Sequence, residues 1–228
     1  MLRYFSGVQI QFEDLAEDVW RFRHKHFVER FGWNALRRPD GMERDQFDHD
    51  DAVHLVLCKN EEVVGYSRLL PTMKPHLLSH VYPEIASGNP YPVGESVYEW
   101  TRCVAEQNVT IDGISASNIL LTGVLEFCLA SGIEALIVET HPKLMHLLIS
   151  TGWNVQPLAA PSVYAESLVV PICATPLVSA LRTHHQLYGI EGSLLDRSPQ
   201  RTSETGDLSR RYPLQSIGSV KESILSYA

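Results

Sequence analysis

The chain has 228 residues, of which 44% are apolar and 20% are charged, and its formal net charge is −8. These values suit a globular protein with a full core, and the acidic balance argues against nucleic-acid binding, because phosphate backbones attract clustered lysine and arginine. Apolar runs fall short of the ~18–20 residues of a membrane span, and the N-terminal residues lack the apolar core of a signal peptide, so we expect neither feature. Its four cysteines are widely spaced, so we expect a reducing cytoplasmic location and no metal site.

The first part of the chain is predicted to form a strand, a helix and an acidic loop. Residues 4–10 favour a short strand, and apolar positions at helical spacing predict a helix from Phe12 to Arg30. Residues 40–51 then carry six carboxylates and one arginine. A solvated loop is the simplest interpretation of such a run, and the ligand spacing of a calcium loop is missing. Alternatively, Asp45 and Asp48 point the same way from a helical turn and bind a cationic ligand.

The middle of the chain combines a predicted hairpin with one unusual strand. Residues 52–58 and 62–70 favour two paired strands, and the proline-rich segment 71–96 predicts a long functional loop. Strand 97–104 is β-branched and aromatic, yet it contains Glu99 and Arg102. Strict alternation would place these charges on opposite faces. We therefore predict that this strand bulges between them or separates from its neighbouring strand at 133–140.

The remaining elements alternate between helices and strands. They are predicted as a helix from the turn 113–117 to Ala130, a buried strand 133–140, a helix opened by Pro142, strands 154–158 and 167–173, and a helix 176–188. This order predicts an α/β fold, a three-layer α/β/α sandwich with a curved mixed sheet. The layout resembles acyltransferases of the GNAT type, in which a turn before a helix seats the pyrophosphate of the donor. We expect one domain over residues 1–190 and a polar extension over 191–228.

Scattered charged and aromatic positions then agree in order and spacing with one family. They are Arg23, Phe27, Trp33, Asp45, Asp48, Arg68, Glu99 and Arg102. Together with Glu-Trp-Thr-Arg at 99–102 and Leu-Leu-x-x-x-Gly-Trp at 147–153, they make the chain resemble acyl-homoserine-lactone synthases of the LuxI type. These enzymes make bacterial quorum-sensing signals. The resemblance covers residues 4–155.

The resemblance implies a reaction and a set of site residues. An acyl group would pass from a thioester to the amine of S-adenosylmethionine, and lactone closure would release methylthioadenosine. Glu99 would be the general base, and Arg102 would be the second catalytic residue, which orders the acidic loop or meets the substrate carboxylate. Contacts to S-adenosylmethionine are implied for Arg23, Phe27, Trp33, Asp45, Asp48 and Arg68. The alternative is a structural ion-pair network of the charged residues, and for Arg68 and Asp48 both roles fit equally well.

The acyl chain needs an apolar slot, which we predict between strands 97–104 and 133–140. The candidate wall residues, each also suited to plain core packing, are Trp100, Thr101, Leu121, Leu125, Ile137, Thr140, Leu144, Leu148 and Trp153. Segment 66–78 is similar to the subgroup that takes acyl-CoA with branched or aromatic acyl groups, so acyl-CoA is preferred over acyl carrier protein as donor.

Two other classes of function remain open at this point. One is a GNAT-type N-acyltransferase that uses acetyl-CoA and another amine, and the other is a ligand-binding module without chemistry. In the favoured reaction S-adenosylmethionine and the thioester are substrates, so we expect no cofactor. We also expect neither nucleic acid nor a membrane as a partner.

Overall fold

The structure is a computed structural model, and it describes residues 1–164 and 167–196. Its strands are β1 (Leu2–Ser6), β2 (Val53–Lys59), β3 (Glu62–Pro71), β4 (Val97–Ala105), β5 (Thr110–Ile111), β6 (Ile114–Ser115), β7 (Ala135–Thr140), β8 (Asn154–Pro157), β9 (Ser162–Tyr164) and β10 (Ser167–Thr175). Its α-helices are α1 (Gly7–Ile10), α2 (Ala16–Arg23), α3 (Leu77–His80), α4 (Ala116–Ser131), α5 (Pro142–Ser150) and α6 (Val178–Tyr188).

Eight of the strands belong to one mixed sheet in the order β1-β2-β3-β4-β7-β10-β8, with β9 paired to β10. β4 and β7 run parallel, whereas β1–β2, β2–β3, β7–β10 and β8–β10 are antiparallel. The predicted α/β class with a mixed sheet is therefore confirmed. No helix in the described part of the chain combines the length and apolar character that crossing a membrane requires.

The chain divides into two compact units. The first unit comprises residues 1–69, 102–124 and, at the end of the described part, 194–196. The second unit comprises residues 70–101 and 125–193, so β3, β4 and α4 each pass from one unit to the other. The predicted boundary at residue 190 stays a prediction, because most of the proposed extension lies outside the described residues.

The start of the chain differs from the prediction. Residues 7–10 are helical rather than extended, because the Ser6 hydroxyl accepts the backbone N–H of Gln9 while the Gln9 side chain accepts that of Ser6. The next helix begins at Ala16, and Phe12 is 71% exposed, so the predicted start of the helix at Phe12 is wrong. α2 continues as a π-helix from His24 to Arg30, a rare geometry that often marks functional sites.

Most later elements agree with the prediction. β2 and β3 form the expected hairpin, and Asn60 and Glu61 at its turn both have positive φ, which suits the twist of paired strands. α4, β7, α5 and α6 also occur at the predicted positions. The short strands β5, β6 and β9 were not predicted.

β4 contains the predicted break between Glu99 and Arg102. The β4–β7 ladder joins Val97–Glu99 to Ala135–Ile137 and, within the described residues, extends no further. Arg102 has a φ of 55°, a left-handed conformation that costs a non-glycine residue about 1–2 kcal/mol. The prediction that this strand bulges or separates from its neighbour is confirmed, and Glu99 and Arg102 fall in different units.

Candidate active site

Charged side chains in the first unit form a buried ionic ring. Its members come from the end of α2, the loop before β2, β3 and β4, and they are Arg23, Glu43, Asp45, Asp48, Arg68 and Arg102. None of these six side chains is more than 9% exposed. Burying unpaired charges would be costly, so their pairing decides whether the loop can adopt this position.

Each arginine in the ring bridges two carboxylates. Arg23 donates from Nε to Glu43 Oε2 at 2.6 Å and from Nη1 to Asp48 Oδ1 at 2.7 Å. Arg68 donates to Asp48 Oδ1 at 2.7 Å and to both oxygens of Asp45, at 2.7 and 3.0 Å.

Arg102 closes the ionic ring. Its Nη2 donates to Asp45 Oδ2 at 2.9 Å and to Glu43 Oε1 at 3.2 Å. Three guanidinium groups therefore alternate with three carboxylates, and every member has two opposite charges as neighbours.

The ring remains ionised at neutral pH. Burial alone would raise the pKa of Asp48, but the charges of Arg23 and Arg68 outweigh it and hold that pKa well below its ordinary value. The pKa values of Glu43 and Asp45 are lowered in the same way by their arginine partners, again against the effect of burial. The acidic loop is thus a packed part of the first unit, and the interpretation as a solvated loop is wrong for Glu43, Asp45 and Asp48.

Two uncharged side chains, one on β2 and one on β3, support Arg23. Arg23 Nη1 donates to the Tyr66 hydroxyl at 3.2 Å, and that hydroxyl lies 2.6 Å from Nδ1 of His54. Burial lowers the pKa of His54 to about 3 and raises that of Tyr66, so both are uncharged. The contact therefore joins a neutral hydroxyl to a neutral imidazole. Sequence reasoning assigned no role to Glu43, Tyr66 or His54; the signal for Glu43 was its place in the acidic run.

Two aromatic rings lie against the outer edge of the ionic ring. The Arg102 guanidinium carbon is 5.4 Å from the ring centroid of Phe27 and 5.1 Å from that of Trp33. The two rings stack at 5.2 Å, and Trp33 is 44% exposed. The structure thus brings seven of the eight predicted polar and aromatic residues together in the first unit.

The eighth residue, Glu99, lies in the second unit and is completely buried. Its Oε2 accepts the backbone N–H of Leu77 at 2.8 Å, and its Oε1 accepts that of Leu78 at 2.6 Å. Both donors come from the start of α3, inside the predicted functional loop. Hydrogen bonds of this kind favour a carboxylate over a carboxyl group. Sequence reasoning missed Glu139 of β7, which lies within hydrogen-bonding reach of Glu99; the signal was an acid inside a nearly continuous apolar run.

The predicted acyl-wall residues are mostly buried in the second unit. Trp100 and Trp153 stack with ring centroids 5.8 Å apart and an interplanar angle of 22°. Ile137 packs in an apolar cluster that includes Leu78 and Val97. The others are Leu125 and Leu148, fully buried, and Thr101, Thr140 and Leu144, half-buried, whereas Leu121 belongs to the first unit. Their role in acyl binding stays a prediction.

A comparison with solved structures gives the fold class. A protein of Lactobacillus plantarum assigned as an N-acetyltransferase superposes with a TM-score of 0.50 at 17% identity, over 77% of this chain and 99% of that chain. A likeness at this identity shows the fold alone, and the fold is that of a GNAT-like acyltransferase.

Closer relatives show the family. Residues 8–175 match the family described as autoinducer synthase. The isovaleryl-homoserine lactone synthase of Bradyrhizobium diazoefficiens is 34% identical over 151 residues, which are 66% of this chain and 68% of that protein. The structure of BjaI, a CoA-dependent acyl-homoserine lactone synthase, with S-adenosylmethionine and isopentyl-CoA has a TM-score of 0.79 at 30% identity, over 86% of this chain and 92% of that chain. The chain belongs to the autoinducer synthase family and is an enzyme of the acyl-homoserine-lactone synthase class.

Proposed function

We propose that this enzyme acylates the amine of S-adenosylmethionine from an acyl-CoA and closes the product to an N-acyl-homoserine lactone, with release of methylthioadenosine. The observation that carries the proposal is the ionic ring together with its aromatic edge, the stacked rings of Phe27 and Trp33. It places a cation, a stacked aromatic pair and a fixed acidic loop at one site, as a substrate with a carboxylate, an ammonium and a sulfonium requires.

The members of the ring divide into two roles. Arg23 and Arg68 are completely buried, and both oxygens of Asp45 are occupied by arginines. We therefore assign Arg23, Arg68, Asp45 and Asp48 to shaping the loop. They are positioning residues in this proposal.

Direct contact with the substrate falls to the aromatic edge. Trp33 is nearly half exposed and the buried Phe27 stacks beneath it, so the face of Trp33 suits the sulfonium or the adenine and Phe27 supports that ring. Arg102, held between these rings and the carboxylates, would meet the substrate carboxylate as a charge-assisted donor.

Glu99 supplies the base in the proposed mechanism. Once the ammonium has released one proton to solvent, Glu99 takes a second proton from the amine, directly or through a water, as the amine nitrogen bonds to the thioester carbonyl carbon. The developing oxyanion is assigned to backbone N–H groups of residues 102–104, beyond the end of the β4–β7 ladder. The C–S bond breaks, and the departing thiolate receives the proton from Glu99. The substrate carboxylate then attacks its own Cγ, and the C–S bond to the sulfonium breaks to release methylthioadenosine.

A short branched acyl group is the proposed cargo. The isovaleryl-homoserine lactone synthase and BjaI with isopentyl-CoA both support this choice. In this proposal the buried Trp100–Trp153 stack forms the end of the slot and limits it to short chains.

Product analysis tests this function. The protein is incubated with S-adenosylmethionine and a panel of acyl-CoA and acyl-carrier-protein thioesters, and products are identified by mass spectrometry. Methylthioadenosine together with an acyl-homoserine lactone is the expected result. Thiol release without methylthioadenosine would instead indicate an N-acyltransferase for another amine, and no turnover with any donor would indicate a ligand-binding module.

A further inference from the structure

Glu139 is a buried carboxyl group that the proposed mechanism leaves without a task. Ile137 of β7 pairs with Glu99 in the parallel β4–β7 ladder, and Glu139 lies two residues beyond Ile137. Because side chains two residues apart on a strand share a face, Glu139 and Glu99 point to the same face of the sheet. The two side chains lie within hydrogen-bonding reach of each other, and Tyr82 lies within reach of Glu139 as well. Among the residues that the structure describes, Glu139 Oε1 has no hydrogen-bond partner, although it is shielded from solvent.

The surroundings of the pair favour a single negative charge. Burial and the nearby charge of Glu99 raise the pKa of Glu139 well above its ordinary value, whereas two backbone N–H groups stabilise the Glu99 carboxylate. In the part of the chain that the structure describes, Tyr82 and Tyr91 are titratable groups near the pair, and burial together with both acids raises the pKa of Tyr91. His76 lies edge-on to Tyr91, and Pro171 is opposite Glu139 on β10. Two carboxyl groups this close ionise one at a time.

We propose that Glu139 is a positioning residue for the acylation step, in which its carboxyl O–H donates to the Glu99 carboxylate, fixes its orientation and keeps it ionised. This inference rests on the proposed function, in which Glu99 is the base. The proton that Glu99 takes from the amine continues to the thiolate, while the proton of Glu139 stays in place. Glu99 thereby has three donors, namely two from the backbone and one from a side chain.

Two substitutions of nearly equal length separate this role from simple packing. Glu139→Gln keeps an N–H that can donate to Glu99, whereas Glu139→Met keeps the volume and loses the donor. Losing a hydrogen bond to a charged group makes Glu99 harder to ionise, so the acid limb of the kcat profile should move up by about one to two pH units in Glu139→Met. In Glu139→Gln the limb should stay at its wild-type position. Glu84→Gln, an exposed change in the same unit, serves as the matched control.

A measurement without turnover keeps this inference separate from the proposed function. Difference infrared spectroscopy at neutral pH should show the carbonyl band of a protonated carboxyl group in the wild type and lose it in Glu139→Gln. In Glu99→Gln the band should titrate away at lower pH, because the repelling charge is gone.

Several results would overturn the role of Glu139. They are a wild type without the band, a band that survives Glu139→Gln, and equal shifts of the acid limb in the Gln and Met variants. If the wild type made lactone and methylthioadenosine while these results held, the inference would fail and the proposed function would stand. If the wild type showed the band but made no lactone, the shared charge of the two acids would be confirmed, but Glu139 would have no role in catalysis.

Discussion

The buried ionic ring predicts a large difference between two arginine substitutions with similar geometry. Arg68 contacts Asp45 at 2.7 Å with neither side chain more than 7% exposed, and Arg44 contacts Asp40 at 2.6 Å with both side chains about 40% exposed. Replacing each arginine by methionine keeps most of the side-chain volume and removes the charge. Only the first change removes a charge partner from buried carboxylates, namely Asp45 and Asp48.

The arrangement of the ring sets the size of the effect. Removing one member of a buried pair typically costs about 3–5 kcal/mol. Without Arg68, Asp45 still has Arg102 and Asp48 still has Arg23, so the cost should lie near the lower end, about 3 kcal/mol. For a urea m-value of about 2 kcal/mol/M, the unfolding midpoint of Arg68→Met should fall by about 1.5 M. Arg44→Met should leave the midpoint almost unchanged, since exposed pairs contribute little.

The same substitution should change the response to acid. Asp45 and Asp48 have lowered pKa values in the folded protein, so their stabilising contribution is complete above the pKa of the unfolded chain, about 4, and is lost as the pH falls through the folded values. In Arg68→Met the lowering is smaller, so acid unfolding should begin at higher pH. Equal urea midpoints for Arg68→Met and Arg44→Met, with identical acid transitions, would refute the structural role of the ring.

Three further predictions concern the reaction. Glu99→Gln should lower kcat about 10²–10⁴-fold, because the amine loses its base, while the control Glu84→Gln keeps wild-type turnover; full turnover of Glu99→Gln across pH would contradict the assignment. Trp33→Ala should weaken S-adenosylmethionine binding in calorimetry by about 0.5–2 kcal/mol, whereas Phe12→Ala, which removes another exposed aromatic ring, should not; equal affinities for both variants would remove Trp33 from the site. Thr140→Leu should shift the acyl-CoA preference toward smaller acyl groups in competition assays, and an unchanged product profile would remove Thr140 from the acyl slot.

Apolar patterning predicted most of the regular elements. α5 and α6 occur where their helical spacing places them, and α4 and the β2–β3 hairpin, which are buried on more than one face, occur where their nearly continuous apolar character places them. The break in β4 was also predictable, since two charges of opposite parity in one apolar strand cannot both be served by a regular pleat. Local chemistry was sufficient in these cases.

Tertiary geometry decided the features that the sequence left open. The π-helix at His24–Arg30 has apolar spacing too close to that of an α-helix to be separated by pattern alone. Glu43 became part of the ring only because the loop before β2 folds against α2, as the hydrogen bond from Glu43 N–H to the Trp20 carbonyl shows. Glu139 was hidden for a different reason, because a single acid in an apolar run reveals its partner only when the neighbouring strand is known.

The stoichiometry of the products tests the central claim most directly. The protein is given S-adenosylmethionine and isovaleryl-CoA, and free CoA, methylthioadenosine and isovaleryl-homoserine lactone are quantified in the same reaction over time. The proposed mechanism predicts equal amounts of all three, since one acyl transfer is followed by one lactone closure. Free CoA that accumulates without methylthioadenosine would contradict it, because the acyl group would then have passed to an acceptor other than S-adenosylmethionine.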